Sequence, residues 1–143
     1  MLSLNSDPKF FSAVRGTVER LTETLGFSAT ECRSITRAVD EALTNVARHS
    51  YKNRLDRPIT VSFQMAQRRS AGEVQQGLEV ILSDRGPKID TSKLSGRPLD
   101  VIRPGGLGLH FIRDAMDIVE FKRQGATNRL RLVKYLAGAK NAL

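Results

Sequence analysis

The chain has 143 residues, 40% of them apolar, which suits one globular domain with a real core. It has no apolar run long enough to span a bilayer and no charged start leading into an apolar stretch, so no membrane span is expected and a cytoplasmic location is. The single cysteine, Cys32, excludes an internal disulfide and reads as a small buried residue. The net charge of +8 is either a solvated basic surface or a field steering toward acidic partners or phosphates. Scattered Lys and Arg and the absence of Trp argue against nucleic acid.

In chain order, Phe10, Val14, Val18, Leu21 and Leu25 recur at helical spacing, with Asp7-Pro8 as start and Gly26 as stop. Ser28 and Glu31 form a capping box for a second helix. Its buried stripe is Ile35, Val39, Ala42 and Val46, and it fades near His49-Ser50. Ile59, Val61, Phe63 and Met65 alternate as in a half-buried strand. The polar stretch from Gln67 to Gly77 reads as a strand end and hairpin turn, and Leu78 to Leu82 as a more central strand. Residues 86–104 hold several Gly and Pro and few apolar side chains, a composition that suggests a functional lid. Leu107 to Met116 predicts a third helix, and Ile118 to Phe121 and Leu130 to Leu136 predict closing strands around a turn at Gly125 to Asn128. The expected architecture is a single domain over 1–143, an α+β two-layer sandwich with helices on one face of a mixed, mostly antiparallel sheet.

Three segments carry chemistry. Glu41 and Asn45, one helical turn apart, project from one face together with Arg48. A carboxylate beside an amide oxygen can hold hydrated Mg²⁺, or the carboxylate can take a proton from an attacking hydroxyl. Asp84 ends a strand two residues before Gly86, so it can accept from an exocyclic amine where the backbone approaches a ring closely. Gly105-Gly106-Leu107-Gly108-Leu109 opens a helix with free N–H groups suited to an anion, and it is neither a Walker loop nor a Rossmann fingerprint.

These segments are Ala38-Val39-Asp40-Glu41-Ala42-Leu43-Thr44-Asn45 with His49, Asp84-Arg85-Gly86-Pro87, and Gly105-Gly106-Leu107-Gly108-Leu109 with Ile112-Arg113. With the closing Arg131-Leu132-Val133-Lys134, they resemble the Bergerat-fold (GHKL) ATPases. The chain is most similar in length and wording to the anti-sigma factor serine/threonine kinases of bacterial partner-switching systems. The resemblance runs from about Phe10 to Leu136.

It implies ATP and Mg²⁺ as cofactors. Glu41 would be the general base, Asn45 the Mg²⁺ ligand and Asp84 the adenine reader. Gly86 would line the adenine pocket. Gly106 and Gly108, flanking Leu107 and followed by Leu109, would hinge the lid and approach the phosphates. Thr127 would add a contact near the adenine. Arg48, Arg97 and Arg103 are candidates for phosphate contacts, with His110 a further one. His49 is expected to pack or cap.

The implied partners are a STAS-domain anti-sigma antagonist bearing the phosphoacceptor serine, a sigma factor or other effector, a PP2C-type phosphatase acting on the same substrate, and a second copy in a homodimer. The chain departs from the family pattern at Lys88, which stands where a second glycine is usual. That leaves a second reading open, a non-catalytic adaptor of the same fold acting only by sequestration.

Overall fold

The computed structural model describes residues 1–88 and 108–137. The lid expected over 86–104, with Arg97 and Arg103, lies outside the described residues from 89 onward, as do Gly105, Gly106 and Leu107.

A short helical turn at Pro8–Phe10, capped by the Asp7 side chain, leads into α1 (Phe11–Leu25). The buried stripe of α1 keeps Val14 and Val18 as expected but starts on Phe11 rather than Phe10, which ends the preceding turn. Phe11, Val14, Val18 and Thr22 are buried, Leu21 and Leu25 are half-buried, and Phe10 is 40% exposed. Gly26 ends α1 in the left-handed conformation, where its N–H returns to the Glu23 and Thr22 carbonyls. The Ser28–Glu31 capping box opens α2 (Ala29–Asn45) as expected, and Cys32 is buried in its first turns. Past Asn45 the helix widens into a π-type turn over Val46–Ser50.

The sheet has the order β1-β2-β3-β5-β4, and all four pairings among the described residues are antiparallel. Its strands are β1 (Leu2–Asn5), β2 (Pro58–Ser70), β3 (Glu73–Asp84), β4 (Ile118–Gln124) and β5 (Thr127–Tyr135). β1 escapes sequence reading because four residues at a sheet edge hold too little pattern. The stretch from Gln67 to Gly77 is strand on both sides of a two-residue turn, Ala71-Gly72, with both residues at positive φ. The expected strand end and hairpin turn are both there, and the polarity of the flanking strand residues reflects their exposure. β4 and β5 likewise run closer together than expected, around Gly125-Ala126. The third helix, α3, is Leu109–Ala115, shorter than expected.

All three helices lie on one face. Val14, Val18, Ile35, Val39 and Leu43 from α1 and α2 pack with Ile59, Val61, Val80, Leu82 and Leu132 from the sheet and Ile112 from α3. Burying aliphatic side chains of this size is worth roughly 1.5–3 kcal/mol each. The opposite face carries a polar chain across four strands. Gln64 and Arg131 both donate to the buried Glu79, and Arg131 also reaches Glu120 at 3.2 Å.

Candidate nucleotide site

Three strand or helix ends converge at one edge of the helical layer. From α2, Glu41 and Asn45 are both half-buried, while Arg48 is exposed on the π-type turn beyond them. The neighbouring acid, Asp40, is engaged elsewhere: Arg15 of α1 pairs with its carboxylate at 2.8 Å. Of the two adjacent carboxylates, Glu41 is therefore the one left to the site.

Gly108 comes against Glu41. It sits at φ +60, and a Cβ built on it would lie 2.7 Å from Glu41 Oε2. The last glycine of the third segment is thus pressed onto the carboxylate of the first. Arg37 of α2 lies over the Phe111 ring of α3, 4.0 Å from its centroid, and adds a second tie between these helices. Leu109 opens α3 and packs partly against the core, and His110 follows, half-buried.

The second segment is built around Asp84, which is only 5% exposed at the end of β3. Its Oδ1 accepts from the Gly86 N–H at 2.8 Å and from Asn128 Nδ2 at 3.0 Å. Its Oδ2 has no partner among the described residues. A Cβ on Gly86 would fall 2.7 Å from Ser50 Cβ and 3.0 Å from both Ser50 O and Asp84 Oδ1, so nothing larger than glycine fits this cradle. Tyr51 fixes the same turn: its hydroxyl accepts from the Arg85 N–H at 2.7 Å and donates to the Pro58 carbonyl at 2.6 Å. Burial raises the Tyr51 pKa above its ordinary value. Lys88 is exposed. Among the described residues only Lys52, Asn53 and Ala71 combine a side chain with positive φ, so Lys88 is not forced into a glycine conformation.

Thr127 lies at the start of β5, paired with Gln124. The residue of this hairpin that reaches Asp84 is Asn128, one position on and directly opposite it in the sheet. Asn128 Nδ2 also lies 3.2 Å from the Gly86 carbonyl and 3.1 Å from that of Pro87. Behind it, Arg123 of β4 donates to Asn128 Oδ1 at 2.8 Å and to the Gly86 carbonyl at 3.0 Å. Neither residue was singled out in the sequence. The available signal was alternation: Leu132 and Leu130 point inward, so Asn128 does too.

The donor set suits a phosphate-bound Mg²⁺ rather than a protein-caged ion. No group of three or more His, Cys, Asp or Glu able to hold a metal occurs among the described residues. Mg²⁺ keeps waters and takes one or two protein oxygens with substrate phosphates, and Asn45 with Glu41 offers that number. No helix among the described residues is long and apolar enough to cross a membrane.

A profile of the histidine kinase-like ATPase domain matches residues 4–134. The chain is similar to the serine-protein kinase RsbW of Listeria monocytogenes, 33% identical over 83% of this chain and 76% of that one. It is 26% identical to the RsbW of Oceanobacillus iheyensis over 95% of this chain and 85% of the relative. With the RsbW of Bacillus subtilis it shares 25% identity over 96% and 85%.

Proposed function

The chain belongs to the histidine kinase-like ATPase family and, within it, to the serine-protein kinases, so we propose that it uses Mg-ATP to phosphorylate a serine on a STAS-type anti-sigma antagonist. It would also sequester a sigma factor or similar effector. The phosphorylation state of the antagonist would decide which partner is held, and a PP2C-type phosphatase would reset it. The kinase would work in the cytoplasm as a homodimer.

The observation that supports this most is the state of Asp84. It is buried, with Oδ1 holding two donors and Oδ2 without a partner among the described residues, beside a cradle that only glycine permits. In this reading the free oxygen accepts the adenine amine and Gly86 lets the ring approach. Asn45 holds the Mg²⁺, which when bound neutralises charge on the phosphates. Glu41 takes the proton from the serine hydroxyl. Gly108 and Arg48 would serve the phosphates, where positioning and charge stabilisation do most of the work.

Calorimetric titration of Mg-ATP into the wild type, Asn45→Ala and Asp84→Asn tests the site, and label transfer from γ-labelled ATP to a STAS-domain protein tests the reaction. Saturable binding weakened by both substitutions, with transfer abolished in Glu41→Ala, is expected. A wild type that does not bind millimolar Mg-ATP would refute the kinase reading and favour the adaptor.

A further inference from the structure

Arg37 is exposed on α2, one helical turn before Glu41, and has no role in the reading above. At i and i+4 the two side chains are neighbours of opposite charge, a spacing that favours pairing. They make no ion pair among the described residues. The guanidinium lies instead over the Phe111 ring of α3, 4.0 Å from its centroid. A ring offers no acceptor to an N–H group in the guanidinium plane, so the planar fork of donors stays unfilled. Phe111 thus draws the cation away from the base and leaves both charges available. No other acid of α2 neutralises it, since Glu31 closes the capping box and Asp40 pairs with Arg15. Arg33, one turn further back, touches only Thr30 Oγ1 among the described residues, at 3.4 Å. A row of two unpaired cations therefore leads along α2 to Glu41.

We propose that Arg37, held by Phe111, is a docking residue for the protein substrate, and that it takes a carboxylate lying close to the phosphoacceptor serine. The inference rests on the kinase reading and adds a substrate contact to it. Contact with the ring restricts a long side chain in advance, so less freedom is lost when the carboxylate arrives. The guanidinium fork matches the two carboxylate oxygens. One helical turn is about 5.4 Å, which an extended chain covers in about two residues. With the serine hydroxyl at Glu41, the carboxylate therefore lies about two residues away along a strand, or about one turn away along a helix. The net charge of +8 favours the approach of such an acidic segment.

The test is steady-state transfer from γ-labelled ATP to a STAS-domain protein that wild type labels, at two salt concentrations. The kinases are the full chain and its Arg37→Gln, Arg37→Lys and Arg37→Glu variants, each checked by thermal melting and by its Kd for Mg-ATP. In the substrate, each acidic residue within one helical turn of the labelled serine is changed to lysine. Arg37→Gln should raise KM for the protein substrate about tenfold and leave the Kd for Mg-ATP at its wild-type value. Its KM should also rise less steeply with salt than that of wild type. Lysine should restore part of the loss. Arg37→Glu should be worse than Arg37→Gln with the native substrate and better than wild type with one of the lysine-bearing substrates. The substrate variants test the contact from the other side if an Arg37 variant does not fold. A KM unchanged in Arg37→Gln, a loss that follows thermal stability or the Kd for Mg-ATP, or no acid whose reversal Arg37→Glu rescues, overturns this inference alone. A wild type that labels no STAS-domain protein overturns the kinase reading and this inference with it.

Discussion

Gly108→Ala should uncouple stability from catalysis in a measurable ratio. The backbone there is left-handed, φ +60, which costs a residue with a Cβ about 1–2 kcal/mol. The new methyl would also sit 2.7 Å from Glu41 Oε2 and 3.2 Å from its Cδ. An ordinary contact needs about 3.5 Å, so the carboxylate must withdraw by roughly 0.5–1 Å. It can do so cheaply, because it is the end of a rotatable side chain, so the folding penalty should stay near the backbone term. The catalytic penalty should not. A general base works only within about 2.6–3.2 Å of its proton, and a misplacement of about 1 Å can cost a hundredfold. Urea unfolding should therefore report a loss of about 1–2 kcal/mol, while phosphotransfer to the partner serine falls about a hundredfold with a smaller change in the Kd for ATP. Transfer at the wild-type rate would mean either that Glu41 is not the base or that Gly108 does not set its position.

Gly86→Ala meets Ser50 Cβ and backbone rather than a mobile side chain, so overpacking of about 1–3 kcal/mol should appear in urea unfolding, with loss of calorimetric Mg-ATP binding. Tyr51→Phe leaves the Arg85 N–H and the Pro58 carbonyl without their partner and should cost about 1–3 kcal/mol in the same assay. Burial raises the Tyr51 pKa in the folded state, so its phenol supports folding fully below the unfolded value of about 10. That support is lost as pH rises above it, and a stability–pH profile of Tyr51→Phe should lack this alkaline component. Arg131→Met leaves the 6%-exposed Glu79 carboxylate without its cation and should destabilise by about 3–5 kcal/mol in urea. The double variant Glu79→Leu/Arg131→Met should recover much of the loss.

The helices were legible because each carries its own punctuation. Ser28, Glu31 and Gly26 specify ends by local hydrogen bonding, and the stripe from Ile35 to Val46 repeats long enough to set a phase. Only the first position of the α1 stripe was misread, Phe10 for Phe11, because the Pro8 turn before it is not α-helical, a distinction that composition does not encode. Strand length was underread wherever both faces are wet, since alternation vanishes when neither side is buried, as in Gln67 to Gln76. At the site, Glu41, Asn45 and Asp84 stand out as polar groups in spacings that need them. Asn128, Arg123 and Tyr51 do not, because their roles come from cross-strand register and from contacts 34 to 44 residues apart in sequence. No local window contains such pairs.

The two outermost strands of the sheet differ in how they end it. β1 offers only four residues to any further strand, and β4 sets Glu120, Lys122 and Arg123 along its length. Lys122 also stands directly opposite Arg129, like charge against like. Short and charged edges are poor templates for another chain. Growth of the sheet by strand addition is thus discouraged on both sides, and concentrated protein should resist fibre formation.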